Sequence, residues 1–188
     1  MRSAFLIKIL LLFTGLVSLL AIVSCESSSP PPKTEVTDSR AVVDSQGVIV
    51  AMGDSLSAGL GVAPAKSYPA QLERLLAEKG LNYRVINAGI SGETSSGARS
   101  RIDWVLKLKP DIVIIETGAN DGLRGIDPAL VEENIEQIIL RFQQENVTVV
   151  LAGMMMVTNL GKEYVAAFNG VYPRLAQRHK VVFMPFFL

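Results

Sequence analysis

A serine in this chain of 188 residues stands at the point where an apolar run gives way to a turn. The run is Val48–Met52, and Gly53, Asp54 and Ser55 follow it directly. A serine hydroxyl just past the end of a strand can face a cleft and attack a carbonyl carbon. That chemistry needs a general base to take the proton and hydrogen-bond donors to hold the oxyanion that forms. Ser55 is therefore the candidate nucleophile.

Two later segments contain residues that can supply such donors. Gly92 lies in the segment NAGISGETS, and its backbone N–H has no side chain in front of it. Asn120 lies in the segment TGANDG and carries a side-chain amide. Together with the N–H of Ser55 they would provide three donors for one oxyanion. Each residue also has a simpler interpretation, a turn glycine for Gly92 and a loop-capping residue for Asn120.

The rest of the chain predicts a parallel sheet that would position these three residues. Short apolar runs alternate with segments of helical spacing, a pattern typical of an α/β protein whose sheet is covered on both faces. Ligands bind to such sheets beyond the carboxyl ends of the strands, where the three segments would meet. The runs predicted as strands are residues 48–52, 83–89, 111–118, 147–154 and 181–187.

The predicted helices have recognisable starts. Ser67 is a candidate N-cap, and Asp127 followed by Pro128 combines a cap residue with a proline at the first helical position. The helix that ends near His179 contains Pro173, which we expect to kink it. Met154–Met156 is interpreted as a strand end and acyl-facing loop rather than as a cofactor site.

The first 24 residues have the pattern of a bacterial lipoprotein signal peptide. A short basic start precedes an apolar stretch at residues 9–23, which is short for a membrane-spanning helix. The stretch runs into IVSC, which resembles a lipobox and predicts lipidation of Cys25 after cleavage. The alternative is an uncleaved anchor helix in which the cysteine is incidental.

The domain boundaries follow from this leader. Residues 25–47 are rich in Ser and Pro and are predicted to form a flexible tether, and residues 48–188 form the domain. Glu26 follows the cysteine, which by resemblance to enterobacterial lipoproteins favours the outer membrane. The expected location is the bacterial cell envelope, on the periplasmic face of the outer membrane.

The composition excludes several partners and cofactors. The chain has 18 basic and 18 acidic residues and no lysine- or arginine-rich block, so we expect no nucleic acid partner. Its single cysteine excludes an internal disulfide and a metal site built on cysteine pairs. The first strand leads into Asp54 and Ser55 rather than into a glycine-rich phosphate loop. We expect neither a cofactor nor a metal.

The segments GDSLSAG, NAGISGETS and GANDGLRG resemble blocks of the SGNH (GDSL) hydrolases, in the same order. Their spacing is most similar to the bacterial thioesterase I, lysophospholipase and arylesterase branch, and the resemblance runs from about residue 48 to the end. It implies a three-layer, flavodoxin-like, doubly wound fold with a five-stranded parallel sheet. It also implies hydrolysis of esters or thioesters without a metal, with Ser55 as nucleophile and Gly92 and Asn120 as oxyanion residues. Asp54 is interpreted as structural, and residues 123–128 correspond to a segment that flanks the acyl groove.

The sequence departs from the family in its last block. The family has an Asp-x-x-His motif after the fifth strand, whereas this sequence ends at FMPFFL. We therefore expect a domain truncated before that block, without the last helix and without the catalytic acid and base. The one histidine, His179, should close the helix before the fifth strand, at the edge of the sheet opposite Ser55.

The sequence thus predicts a serine esterase or thioesterase that acts on small acyl esters and reaches the membrane through Cys25. The missing base raises a first alternative, a non-catalytic lipoprotein that binds lipids or acyl groups. A second alternative is a sugar O-acetyl esterase on the same scaffold.

Overall fold

The computed structural model describes residues 45–187, and five strands in that range form one parallel sheet. The strand order is β2-β1-β3-β4-β5, which confirms the predicted doubly wound arrangement. The predicted signal peptide, Cys25 and nearly all of the predicted tether lie outside the described residues. The strands are β1 (Gly47–Gly53), β2 (Tyr83–Gly89), β3 (Ile112–Glu116), β4 (Thr148–Ala152) and β5 (Val182–Met184).

Helices connect the strands and flank the sheet. The α-helices are α1 (Ser55–Ala58), α2 (Tyr68–Glu78), α3 (Ser95–Ser100), α4 (Ile102–Leu106), α5 (Ala119–Leu123), α6 (Pro128–Gln144) and α7 (Lys162–His179), and two 3₁₀ turns occupy Pro64–Lys66 and Thr158–Leu160. None of the helices in the described range is both long enough and apolar enough to cross a membrane.

The first two strands match their predicted runs to within one residue, but the later strands are shorter than predicted. The third ends at Glu116 because Gly118, at a φ of 109°, turns the chain into α5. An apolar run therefore overestimates a strand wherever the residues beyond it belong to a functional loop.

Of the two predicted N-caps, Asp127 caps its helix with its side chain and Ser67 does not. Asp127 caps α6 as predicted, because its Oδ1 accepts a hydrogen bond from the Ala129 N–H at 2.9 Å. Ser67 occupies the N-cap position of α2, but its hydroxyl donates to the Pro64 carbonyl at 2.8 Å instead of accepting from the helix. The segment after Ser95 forms two short helices that meet at Arg101.

The core lies between the sheet and the helices α6 and α7. Val50 and Met52 of β1 are fully buried, as are Ile138 of α6 and Phe168 of α7. Helix α2 is less buried, and its Leu75 is 45% exposed. The well-packed centre of the sheet gives β1 and β3 a rigid frame, and the loops with Ser55 and Asn120 follow their carboxyl ends.

The strand register brings those carboxyl ends together. Gly53 at the end of β1 is paired with Gly89 of β2 on one side and with Glu116 of β3 on the other. The loops that follow these three strands therefore start side by side at one edge of the sheet.

Candidate active site

Ser55 is the first residue of α1 and is half-buried at the carboxyl edge of the sheet. Asp54 precedes it as the N-cap, and its Oδ1 accepts a hydrogen bond from the Leu56 N–H at 3.0 Å. The Asp54 side chain is 1% exposed, which agrees with its predicted role of holding the loop. The Ser55 hydroxyl has no hydrogen-bond partner among residues 45–187, so it is free to meet a substrate.

Gly92 lies in a tight turn after β2. The turn is closed by a hydrogen bond from the Glu93 N–H to the Ile90 carbonyl at 3.1 Å, and Gly92 adopts a φ of 80°. A residue at this position of a turn needs a positive φ, which explains the glycine. The Gly92 carbonyl accepts a hydrogen bond from Arg124 Nη2 at 2.9 Å.

Asn120 connects the loops of the other two candidates. It lies in α5, and its Nδ2 donates to Asp54 Oδ2 at 3.1 Å and to the Glu93 carbonyl at 3.0 Å. Asp54 is the neighbour of Ser55 and Glu93 is the neighbour of Gly92. The structure therefore brings together the three residues that the sequence analysis selected from three separate loops.

A buried ion pair between Arg101 and Glu93 stabilises the turn that contains Gly92. Arg101 Nε and Nη2 each lie 2.6 Å from a carboxylate oxygen of Glu93, and the side chains of Arg101 and Glu93 are only 11% and 7% exposed. Arg101 Nη2 also lies 3.4 Å from the Gly53 carbonyl. This two-point pairing ties the loop after β2 to the end of β1.

A second buried group ties the loop after β2 to α5. Asp121 accepts hydrogen bonds from the Ser95 N–H at 2.8 Å and from the Ser95 hydroxyl at 2.6 Å. Asn134 of α6 donates to the hydroxyls of Ser95 and Ser96. Ser95 and Asp121 are fully buried, so the hydrogen bonds between them order both loops away from solvent.

Glu116 at the end of β3 lies directly beneath α1. Its Oε2 accepts hydrogen bonds from the Asp54 N–H, the Ser57 N–H and the Ser57 hydroxyl. Burial, with the nearby charge of Asp54 as a smaller contribution, raises the pKa of this carboxyl group to about 8.

Two cavities flank the site. One of about 320 Å³ is lined by Ser55 together with Leu60, Lys66 and Tyr68, among others. The other, of about 410 Å³, includes Ala119, the residue before Asn120, and is almost entirely apolar. It is lined by Ala119, Leu123, Met154, Met155, Met156, Val157 and Phe186. The three methionines thus follow β4 and line a cavity, as the sequence analysis expects.

His179 lies away from this edge. It is the last residue of α7, just before β5, which places it at the amino-terminal edge of the sheet. Its Nε2 is 2.8 Å from Glu136 Oε1, and its ring is mostly buried against α6. This position agrees with the prediction that His179 is too far from Ser55 to act as its base.

The residues that hold the loops together were not predicted from the sequence. Glu93, Arg101, Glu116 and Asp121 are ionisable and nearly buried, and each either adjoins a candidate site residue or contacts a neighbour of one. The only available signal was the acidic residue at the end of the apolar run DIVIIE. An acidic side chain in a strand that is otherwise apolar indicates a buried contact of its own.

Comparisons with known proteins agree with this arrangement. Residues 51–188 match the model of the GDSL-like lipase/acylhydrolase family. Esterase TesA of Pseudomonas aeruginosa and an arylesterase of Vibrio mimicus are each 40% identical over 141 residues, which cover 74% of this chain and 70% of theirs. The crystal structure of AlinE4, an SGNH-hydrolase family esterase, is 43% identical with a TM-score of 0.74 and covers 76% of this chain and 77% of its own. The chain belongs to the GDSL-like lipase/acylhydrolase family, a family of carboxylic-ester hydrolases.

Proposed function

We propose that this protein hydrolyses acyl esters and thioesters through Ser55, and that the N–H groups of Ser55 and Gly92 and the Asn120 amide hold the oxyanion. The observation that carries the proposal is the pair of hydrogen bonds from the Asn120 amide to Asp54 and Glu93. These bonds join the chain next to Ser55 to the chain next to Gly92, which supports a common site for the three candidate residues. The names of the relatives, an esterase and an arylesterase, support the same class of substrate.

The reaction would proceed in two halves. The Ser55 hydroxyl loses its proton to a general base, which the Asp-x-x-His block of the family would supply, while Oγ forms a bond to the carbonyl carbon and the carbonyl electron pair moves onto oxygen. The oxyanion then collapses and expels the alcohol or thiol, which takes up the proton. Water attacks the acyl-serine in the same way and releases the carboxylic acid. The donors act on the oxyanion, where the developing charge makes each hydrogen bond stronger than in the ground state.

A second candidate function is the binding of acyl groups without turnover. It is favoured by the position of His179, the single histidine of the sequence, at the opposite edge of the sheet. Such a protein would use the apolar cavity and leave Ser55 unreactive.

Reaction with a fluorophosphonate distinguishes the two functions, because phosphonylation needs an activated serine. If the protein hydrolyses esters, the wild-type chain should gain the mass of one adduct, located on Ser55 by peptide mapping. The Ser100→Ala variant should react like the wild type, since the Ser100 hydroxyl donates only to the Gly97 carbonyl of its own helix. A wild-type chain that remains unlabelled, yet binds fatty acid, would contradict hydrolysis and support acyl binding.

The apolar cavity beside Asn120 favours longer acyl chains. We expect kcat/KM for p-nitrophenyl esters to rise roughly two- to fourfold per methylene from acetyl to octanoyl, because each buried methylene contributes about 0.8 kcal/mol. Leu123→Ser should flatten this rise, since Leu123 lines the apolar cavity.

Leu130→Ser is the matched control for chain length. Leu130 is also a partly exposed leucine, 44% against 66% for Leu123, but it is not among the residues that line either cavity. We expect it to leave the dependence on chain length unchanged. A maximum at acetyl esters in the wild type would instead support a sugar O-acetyl esterase.

We also propose that Cys25 is lipidated and that the protein is anchored to the periplasmic face of the outer membrane. The support is the sequence pattern of residues 1–25 alone. Cys25→Ala should abolish incorporation of radiolabelled palmitate and move the protein out of the membrane fraction. Membrane retention of this variant would contradict the anchor and support an uncleaved helix.

A further inference from the structure

We propose that Glu116 is a positioning residue for Ser55, because one oxygen of its buried carboxyl group gathers donors from both sides of Ser55 in the sequence. The inference rests on the proposed function, in which Ser55 is the nucleophile. It assigns a role to a residue that contacts the nucleophile's loop from a neighbouring strand.

Three hydrogen bonds converge on Glu116 Oε2. The Asp54 N–H donates at 3.1 Å, the Ser57 N–H at 3.2 Å and the Ser57 hydroxyl at 2.7 Å. Asp54, Ser57 and Glu116 are each at most 1% exposed. Ser55 lies between the two backbone donors, so the acceptor fixes the chain immediately before and after the nucleophile.

These donors have no alternative acceptor within α1. The first N–H groups of a helix lack partners in the helix itself, and α1 has only four residues. The Asp54 side chain satisfies the Leu56 N–H, while Glu116 satisfies the N–H groups of Asp54 and Ser57. Without Glu116 two buried N–H groups would be unpaired, and the turn would rearrange to reach other acceptors.

The residues around the Glu116 carboxyl group leave space for it. A Cβ on Gly53 would overlap both Glu116 Oε2 and Ser57 Oγ, so only glycine fits at this position. The single proton of the Ser57 hydroxyl goes to Glu116, and the Tyr68 hydroxyl therefore donates to Ser57 Oγ at 3.0 Å. The network continues from β3 through α1 to α2.

Charged and titratable groups face Glu116 from several elements. Asp54 approaches from the β1–α1 junction, Tyr68 from α2 and Tyr172 from α7, and Arg101, paired with Glu93, reaches the Gly53 carbonyl. With a pKa of about 8, Glu116 is mostly protonated at neutral pH. Oε1 has no hydrogen-bond partner within residues 45–187, so a proton on it would leave Oε2 free to accept all three hydrogen bonds, and the acceptor oxygen rather than the charge is the positioning feature.

Two substitutions at Glu116 test this inference. Glu116→Gln keeps one acceptor oxygen and should retain most of the wild-type kcat for p-nitrophenyl butyrate. Glu116→Ala removes it and should lower kcat by about 10²-fold with KM unchanged, as expected for a misplaced nucleophile. The matched control is Thr117→Val, because the Thr117 hydroxyl is buried beside Glu116 but makes no hydrogen bond within residues 45–187. It should leave kcat and KM at wild-type values.

A second measurement does not depend on turnover. Hydrogen exchange of the Asp54 and Ser57 amides should be faster in Glu116→Ala than in the wild type, and should be slow in Glu116→Gln. If Glu116→Ala does not fold, Ser57→Ala serves instead, since it removes the 2.7 Å hydroxyl donor and should lower kcat with KM unchanged.

Each outcome decides the inference separately from the proposed function. Equal loss of kcat in Glu116→Gln and Glu116→Ala would overturn it, as would unchanged amide exchange in Glu116→Ala. A loss of stability without a change in kcat would show a purely structural role and would also overturn it. The proposed function fails on a different result, namely full turnover by Ser55→Ala, and the exchange measurement still reports whether Glu116 holds the turn.

Discussion

In a version of the protein that carries the Asp-x-x-His block of the family, replacing Ser55 with alanine should lower the hydrolysis of p-nitrophenyl esters by about 10⁴- to 10⁶-fold, as removal of the nucleophile does in other serine hydrolases. The reason is that Ser55 lies at the end of β1 and near the loops of Gly92 and Asn120. No other hydroxyl in the described part of the chain meets both conditions. The measurement is the initial rate at saturating and at low substrate, so that kcat and KM are separated.

The control for this prediction is Ser100→Ala, which removes a serine hydroxyl from an exposed helix end. It should keep wild-type rates. Thermal unfolding of Ser55→Ala should match the wild type, because the Ser55 hydroxyl makes no hydrogen bond within residues 45–187. Full turnover by a folded Ser55→Ala variant would disprove the assignment of the nucleophile.

Replacing Asn120 with alanine should lower kcat by about 10²- to 10³-fold, the usual effect of removing one oxyanion donor. KM should change little, since the donor acts on the charge that develops in the transition state. In the structure both amide hydrogens of Asn120 have protein acceptors, Asp54 Oδ2 and the Glu93 carbonyl. Donation to an oxyanion therefore requires Asn120 to release one of these bonds when substrate arrives.

The matched control is Asn146→Gly, at the turn between α6 and β4 on the opposite edge of the sheet. Asn146 has a φ of 60°, a conformation that glycine adopts without strain, so kcat should be unchanged. A variant Asn120→Ala with wild-type kcat would remove Asn120 from the oxyanion site and leave it as a loop contact.

The double variant Ser55→Ala/Asn120→Ala separates the two roles further. If the donor acts on the oxyanion formed by Ser55, most of its effect should disappear once the nucleophile is absent. A double variant whose loss equals the product of both single losses would mean that the two residues act independently.

Several features were predictable because they depend on neighbours in the sequence. The alternation of apolar runs with helical segments predicted the parallel sheet and its edge, and Asp127 followed by Pro128 predicted the start of α6. Gly53, Asp54 and Ser55 identified the candidate nucleophile because a polar residue at a strand end has no role in packing. Local patterns of this kind reflect backbone preference and burial, which act over a few residues.

The contacts that order the site depended on the tertiary structure. Glu116 reaches Asp54 across 62 positions of sequence, and Asn120 reaches Glu93 across 27. Arg101 lies between two short helices, and its guanidinium pairs with Glu93 in a buried position. No local pattern encodes such pairs, because their free energy depends on which strands are adjacent and on how far each loop is buried.

The sequence by itself determined the type of fold, the edge that carries the site and three candidate residues, because periodicity and glycine-rich turns are local properties. Only the tertiary structure decided how these residues are held. Burial removes water from Glu93, Arg101 and Glu116, and a buried polar group is stable only where the fold supplies its partner. The register of β1 with β2 and β3 supplies those partners, since it brings the ends of the three strands side by side.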